Sequence, residues 1–345
     1  MQGGGVHPLL HDRKEAFGSM KQVTNFPLYN GCLKEYGDMA GVMRDIEGMG
    51  LDGLEVIWDH MPYTEELPPT SAVIGYHLMF WSNWVDFWRQ DEQALLDEFG
   101  DWDLIHDYYH GETPQDMVDR YRVDLQRAID LEAEYVVFHV SEVSLVECFT
   151  YDFKFSNEEV IDASVELINR ILDGIDFHGA FLMENQWWPG LTFTDPAMTR
   201  RLLDGVEYAD KGIMLDTGHL MSTNTKLRTQ EQAAQYAMQM YRDHGDLGKF
   251  VRGLHLHKSL SGEYVEGAGY RVPDDFVGSY WDKYTRCYNH ILQIDRHEPW
   301  DDSVVAEMVR TLDPQWVNHE LSSWPREAHL KALATQTDAL SRGGL

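Results

Sequence analysis

A parallel eight-stranded α/β barrel, a (β/α)8 TIM barrel, is the fold this sequence predicts, and three observations predict it. Short β-branched apolar runs alternate with longer helical patterns along the chain, the order expected of parallel β/α units. About eight such runs are spread over the 345 residues, which suits one closed barrel better than an open doubly wound sheet. No Gly-x-Gly-x-x-Gly follows the first run and no Walker A motif occurs, so nucleotide-binding sheet folds lose support.

The elements follow in order. Strands are expected at Val23–Leu28, Gly53–Trp58, Ala72–Met79, Tyr135–Val140, Ala180–Glu184, Gly212–Asp216, Val251–His257 and Trp316–Glu320. Helices are expected at Tyr36–Met49, Pro114–Leu131, Asn157–Ile175, Pro196–Tyr208, Gln230–Arg242 and Glu327–Leu340. The clearest is Asn157–Ile175, where Ser156 and Glu159 have capping-box spacing and Val160, Ala163, Leu167, Ile168, Ile171 and Ile175 recur at helical intervals. Two connections are long, Ser141–Asn157 after the fourth strand and Lys258–Pro273 after the seventh. Long loops after barrel strands build the active-site face, so both are candidate lids. Residues 1–20 begin Gly-rich and lack an apolar signal core, and are read as a flexible leader or cloning remnant. Residues 21–341 are expected to form a single barrel domain.

Composition narrows the partners. The chain has 28 Lys plus Arg against 58 Asp plus Glu, a formal charge of −30, which repels phosphate backbones and anionic lipid. Nucleic-acid and membrane partners are therefore not expected, and no apolar run reaches the roughly 18 residues of a membrane span. Cys32, Cys148 and Cys287 are widely spaced without a Cys-x-x-Cys, which offers neither a disulfide framework nor a thiolate metal site and fits a cytoplasmic protein.

The chemistry sits where ionisable residues end otherwise apolar strands: Glu184, Asp216 with His219, His255 and His257, and Glu320, with His77 and His139 as weaker members. In a barrel these ends converge on one mouth, and buried carboxylates and imidazoles gathered there need a compensating charge. A divalent cation supplies it. Strand alternation puts His255 and His257 on one face, pairs Leu182 with Glu184 and Met214 with Asp216, and turns His319 away as a core residue. Which of His255 and His257 binds metal stays open. Oxygen and imidazole donors without sulfur suit Mn, Co, Zn or Mg, with room for a second ion. Aromatic residues flank the ends: Trp187 and Trp188 after Glu184 are read as a pocket wall, and Trp81 after the third strand as a substrate contact. Trp84 and Trp88, at helical spacing, are expected to dock a helix.

On these residues the chain resembles the xylose-isomerase-like TIM-barrel superfamily, which holds sugar isomerases and epimerases and the endonuclease IV group. The matching stretches are FLMEN (181–185), IMLDTGHLM (213–221), GLHLHKS (253–259) and VNHEL (317–321), with VVFHVS (136–141) and GYHLMF (75–80) behind them. The resemblance implies one divalent metal on Glu184, Asp216, His255 or His257, and Glu320, with His219 touching metal or substrate. The endonuclease IV pattern adds histidines matched by His77 and His139. It also asks for an Asp-x-His after the seventh strand, which the loop SGEYVEGAGYRV lacks, so a full trinuclear zinc site is not expected. Gln186 and Trp187 after Asn185 depart from the substrate-contact pattern of known ketose epimerases, so no particular sugar is implied.

The function expected is a metal-dependent isomerase or epimerase on a polyhydroxy carbonyl substrate, a small carbohydrate or glycoside, working through an enediolate. Glu184 and Glu320 are the catalytic proton carriers, and Lys258 or His219 polarises a substrate oxygen. His77 and His139 join Trp81, Trp187 and Trp188 as substrate contacts. The competing class is a metal-dependent lyase or hydrolase on the same site: a dehydratase, a glycoside-cleaving enzyme or a phosphoesterase. A metal-bearing binding barrel is the non-catalytic reading, and a homo-oligomer is allowed.

Overall fold

The computed structural model describes residues 20–58 and 62–345, so the expected leader lies outside the described residues except for Met20. Eight parallel strands close into a barrel in sequence order. They are β1 (Lys21–Leu28), β2 (Gly53–Trp58), β3 (Val73–His77), β4 (Tyr135–His139), β5 (Ala180–Glu184), β6 (Lys211–Asp216), β7 (Val251–His255) and β8 (Trp316–His319). Side chains alternate across each strand. The inward set Val23, Ile74, Tyr135, Val137, Ala180, Leu182, Met214 and Trp316 fills the lower barrel as its own apolar cluster. The outward set packs beneath the helices.

That cluster is the floor of the site. Leu182 and Met214 point inward two residues before Glu184 and Asp216, so each strand that inserts an apolar plug also delivers a carboxylate above it. Truncating Leu182, fully buried, to Ala is expected to lower the unfolding free energy by about 2–5 kcal/mol. Urea titration measures it, and a change under about 1 kcal/mol would mean the floor collapses around the gap.

Several expected boundaries shift for local reasons. Thr70–Ala72 winds into a 3-10 turn behind Pro68 and Pro69, so β3 starts one residue later than expected, at Val73, and it ends at His77. β7 stops at His255 and β8 at His319, which leaves His257 and Glu320 on the following turns. The first helix begins at Met39 rather than Tyr36, because Asp38 caps it and Cys32–Glu35 forms a separate 3-10 turn.

In chain order the helices start with α1 (Met39–Met49), α2 (Val85–Arg89), α3 (Glu92–Phe99), α4 (Trp102–Tyr109) and α5 (Pro114–Asp130). They continue with α6 (Glu147–Thr150), α7 (Asn157–Leu172), α8 (Pro196–Gly205), α9 (Thr217–Ser222) and α10 (Gln230–Asp243). The last are α11 (Gly262–Ala268), α12 (Tyr280–Ile294), α13 (Val304–Leu312) and α14 (Arg326–Arg342). Three short helices, α2 to α4, thus fill the β3–β4 connection, and α11 and α12 the one after β7; none was expected. The long loop after β4 carries α6. Cys148 on α6 and Cys287 on α12, remote in sequence, sit side by side, and burial with the neighbouring sulfur pushes the Cys148 thiol well up. A thiol so raised is no nucleophile at neutral pH. Among the described residues no helix is long and apolar enough to cross a membrane.

Candidate metal centre

The strand register brings the polar ends together. His139 pairs with Glu184 across β4 and β5, Asp216 with His255 across β6 and β7, and His255 with Asn318 across β7 and β8. Donor atoms of Glu184, Asp216, His255 and Glu320 all lie within 4.8 Å of one another. Around this centre stand a second group, His77, His139 and Glu184, and two more that involve His257: Asp216, His219 and His257, and His257, His297 and Glu320.

The histidines are held in metal-ligand fashion, one ring nitrogen anchored and the other turned inward. Nδ1 of His77 meets the Leu78 carbonyl at 2.8 Å, leaving Nε2 at 3.3 Å from Oε2 of Glu184. Nε2 of His139 lies at the same 3.3 Å from that oxygen, with Gln186 3.4 Å behind Nδ1. His219 sets Nδ1 3.0 Å from the Asn185 carbonyl and Nε2 3.3 Å from Asp295. His297 sets Nδ1 2.9 Å from the Glu320 carbonyl and Nε2 2.8 Å from Asp295. His257 turns Nε2 to Asp216 at 2.9 Å, with Ser259 behind Nδ1.

His255 is anchored from inside the barrel. Its Nε2 lies 3.0 Å from Oε1 of Glu55, a buried carboxylate on β2 that also accepts from the Tyr135 hydroxyl at 2.6 Å and the Asn318 amide at 2.8 Å. Gly75 makes room for this prop, since a Cβ there would strike the Tyr135 ring. Nδ1 of His255 then faces Glu320 at 2.9 Å and Glu184 at 3.4 Å. Gly218 serves His257 in the same way, because its bare backbone is the surface against which that imidazole packs.

Electrostatics follow from this crowding. Burial opposes charge on Glu184, yet His139 and His255 outweigh it and hold the carboxyl well below the usual range. Glu320 is lowered as well, its burial overcome by His255 and His297. Burial would push His255 down, but Glu320, Glu55 and Glu184 carry it well above its ordinary value. His139, where burial wins, is lowered.

The donor set fits a cation. Both carboxylate oxygens of Glu184, Nδ1 of His255 and Oε2 of Glu320 are buried without a hydrogen bond among the described residues. Donor atoms this close and without hydrogen bonds of good geometry have the mutual spacing of ligands about 2 Å from a shared ion.

The family model for the xylose isomerase-like TIM barrel matches residues 43–332, most of the chain. The chain belongs to that family. No curated protein matches it. Among solved structures, this xylose isomerase-like barrel is similar to a D-tagatose 3-epimerase-like protein at 14% identity, covering 94% of this chain and 98% of that one with a TM-score of 0.50. It is similar to the IOLI protein with a binding zinc atom at 13% identity, 94% and 99% coverage and a TM-score of 0.50. Endonuclease IV from Thermus thermophilus aligns at 14% identity over 93% and 99%, with a TM-score of 0.49. At these identities the likeness is one of fold.

Three sequence expectations need correction. The Asp-x-His element is present: Asp295 and His297 follow α12 rather than β7 itself, and the fold returns them to the mouth beside His219 and His257. Lys258 does not join the site; on the turn after β7 its backbone pairs with Glu298, and its ammonium lies 3.9 Å from Asp301 and 4.0 Å from Glu298. Trp81 packs in the core against Tyr121 and donates to the Tyr108 carbonyl, while its neighbour Phe80 stacks on His139 at 4.1 Å. His77 and His139, expected as substrate contacts, also stand among the groups able to hold metal. Trp187 and Trp188 do wall a cavity at the mouth. His319 stays out of the site, between Gln22 and Gln336, and burial holds it neutral with a pKa lowered to about 4.

Asp295 ties His219 to His297, so Asp295→Asn is expected to lower metal content by one ion per chain and leave the central four-ligand group loaded. Elemental analysis reads the stoichiometry; full metal content in the variant would place Asp295 outside the centre.

Proposed function

We propose that this barrel is a divalent-metal-dependent enzyme that moves a proton at the carbon beside a carbonyl group of a polyhydroxy substrate, as an isomerase or epimerase does. The observation that carries this reading is the pair Glu184 and Glu320, one buried and one half-buried carboxylate, both held toward the ionised form and both facing Nδ1 of His255. Ionised, one can take the proton from carbon, and the other, once it has drawn a proton from solvent, can return one to carbon. Glu184, Asp216, His255 and Glu320 would hold the central cation, with the group of His77, His139 and Glu184, that of Asp216, His219 and His257, or that of His257, His297 and Glu320 available to further ions. When bound, the cation supplies Lewis acidity to the substrate oxygen on which negative charge develops. Asp216 is both a donor to that group and the N-cap of α9, accepting from the His219 amide at 2.6 Å, so its carboxylate is pre-oriented. Glu55 and Tyr135 keep His255 in register, and Trp187, tilted against His219 at 5.2 Å, helps to exclude water.

Hydrolysis or elimination on a multi-ion centre is the second reading, favoured by the position of Asp295 and His297. A phosphoester, including one in a nucleic acid, belongs to this class. Incubating the metal-loaded protein with ketoses, aldoses and glycosides in deuterated water separates the two. Deuterium at the substrate carbon supports proton transfer; a cleaved fragment without carbon-bound deuterium supports the second reading and overturns the first.

A further inference from the structure

Beside the metal-capable groups lies a cavity of about 160 Å³ whose far wall holds none of the metal-capable residues. Three donors form its inner end, His139, His219 and Asp295. Beyond them the wall is mostly apolar, with Leu145, Trp187, Trp188 and Ile291 beside the buried Cys148 and Cys287, while Ser82, Ser141, Gln186 and Tyr284 add its uncharged polar part. No Lys or Arg is among the described residues that line it. Phe80 and Tyr288, both exposed, mark its open side.

From this wall we infer that the substrate carries an uncharged aromatic substituent next to the polyhydroxy portion that meets the metal centre. The inference rests on the reading of the site as a metal-dependent enzyme for a polyhydroxy substrate, and it adds the substrate class. Size supports it, because an apolar protein cavity of about 150 Å³ takes up a benzene ring. The wall chemistry supports it too, since Trp187 and Trp188, packed on each other 4.2 Å apart centroid to centroid, both line the space. Charge disfavours the obvious alternative: the Lys and Arg side chains that commonly grip a sugar phosphate are absent from the lining among the described residues. The indole N–H of Trp188 is buried without a hydrogen-bond partner among the described residues, a donor suited to an oxygen linking ring and sugar.

The test is calorimetric titration of the metal-loaded protein with matched phenyl and methyl β-glycosides of glucose, galactose and xylose, and with glucose 6-phosphate. At least one phenyl glycoside is expected to bind about tenfold or more tightly than its methyl partner, with the phosphate no tighter than the methyl glycoside. In Ile291→Trp, where a bulky side chain enters the cavity from α12, the phenyl-to-methyl ratio is expected to fall towards one. Equal affinity within every pair, no binding by any of the six glycosides, preference for the phosphate, or an unchanged ratio in the variant overturns the inference. The readout is binding, so it is separate from the reaction. Aromatic preference without deuterium exchange would spare this inference and sink the isomerase reading, while exchange on simple ketoses with no aromatic preference would do the reverse.

Discussion

Glu184→Gln is expected to abolish turnover, by on the order of 10³-fold or more, and to strip the protein of metal at two positions at once. Glu184 is the one residue shared by the central four-ligand group and the His77–His139 group. Both of its oxygens are buried, and neither is committed to a hydrogen bond among the described residues. Gln keeps the shape and removes the charge, so the change tests electrostatics rather than packing. Without that charge His77, His139 and His255 lose a carboxylate within 3.4 Å, and their positive forms become costly in the buried mouth. The variant should therefore show reduced metal by elemental analysis and no deuterium incorporation, while its far-ultraviolet circular dichroism stays that of the barrel. Wild-type metal content with a wild-type rate would remove Glu184 from the chemistry and with it the proposed reaction.

How legible all this is in the sequence depends on the distance over which each residue's position is decided. The barrel itself is legible, because each strand carries its own apolar run and each long helix its own period and cap, as Ser156 and Glu159 do for α7. The first ring of the site is legible for the same reason: Glu184, Asp216 and His255 sit at the ends of apolar strands, where parity alone gives their direction. Asp295 and His297 are not, since their return to the mouth depends on the length and tilt of α12. The motif was visible in Asp295-Arg296-His297; its connection to the seventh strand was not. Glu55 is hidden for the opposite reason. A lone carboxylate inside the run Gly53–Trp58 announces nothing until Tyr135, Asn318 and His255 are seen to share it. Trp81 and Phe80 show where parity fails, because β3 ends at His77 and alternation no longer fixes which neighbour faces the mouth. The short helices α2 to α4 escape notice through their mixture of aromatic and acidic residues, which blurs the helical period.

Titrating metal into the chelator-stripped protein near neutral pH is expected to release protons, and the affinity is expected to rise with pH. A histidine binds a cation only through a neutral nitrogen. In the stripped protein, burial alone would lower the pKa of His297, but the Asp295 carboxylate 2.8 Å away carries it up to about 10 from an ordinary 6.5. His255 and His219 are raised as well, against their own burial, by the carboxylates that face them. A raised histidine contributes stability in full below its ordinary pKa and loses it as pH climbs through the folded value. Glu184 and Asp295 are lowered, so they contribute above the ordinary carboxyl range and lose that only in acid. Protons and metal therefore compete for the same nitrogens throughout the neutral range. Each proton displaced adds up to about tenfold in apparent affinity per pH unit. Calorimetry in two buffers of different ionisation enthalpy should give different heats of binding. The Tm gap between loaded and stripped protein should widen from about pH 6 to about pH 9, since alkali weakens the stripped form and strengthens the loaded one. Identical heats in both buffers, together with a gap that narrows over that range, would mean that the histidines are already neutral and that the carboxylates carry the cation without them.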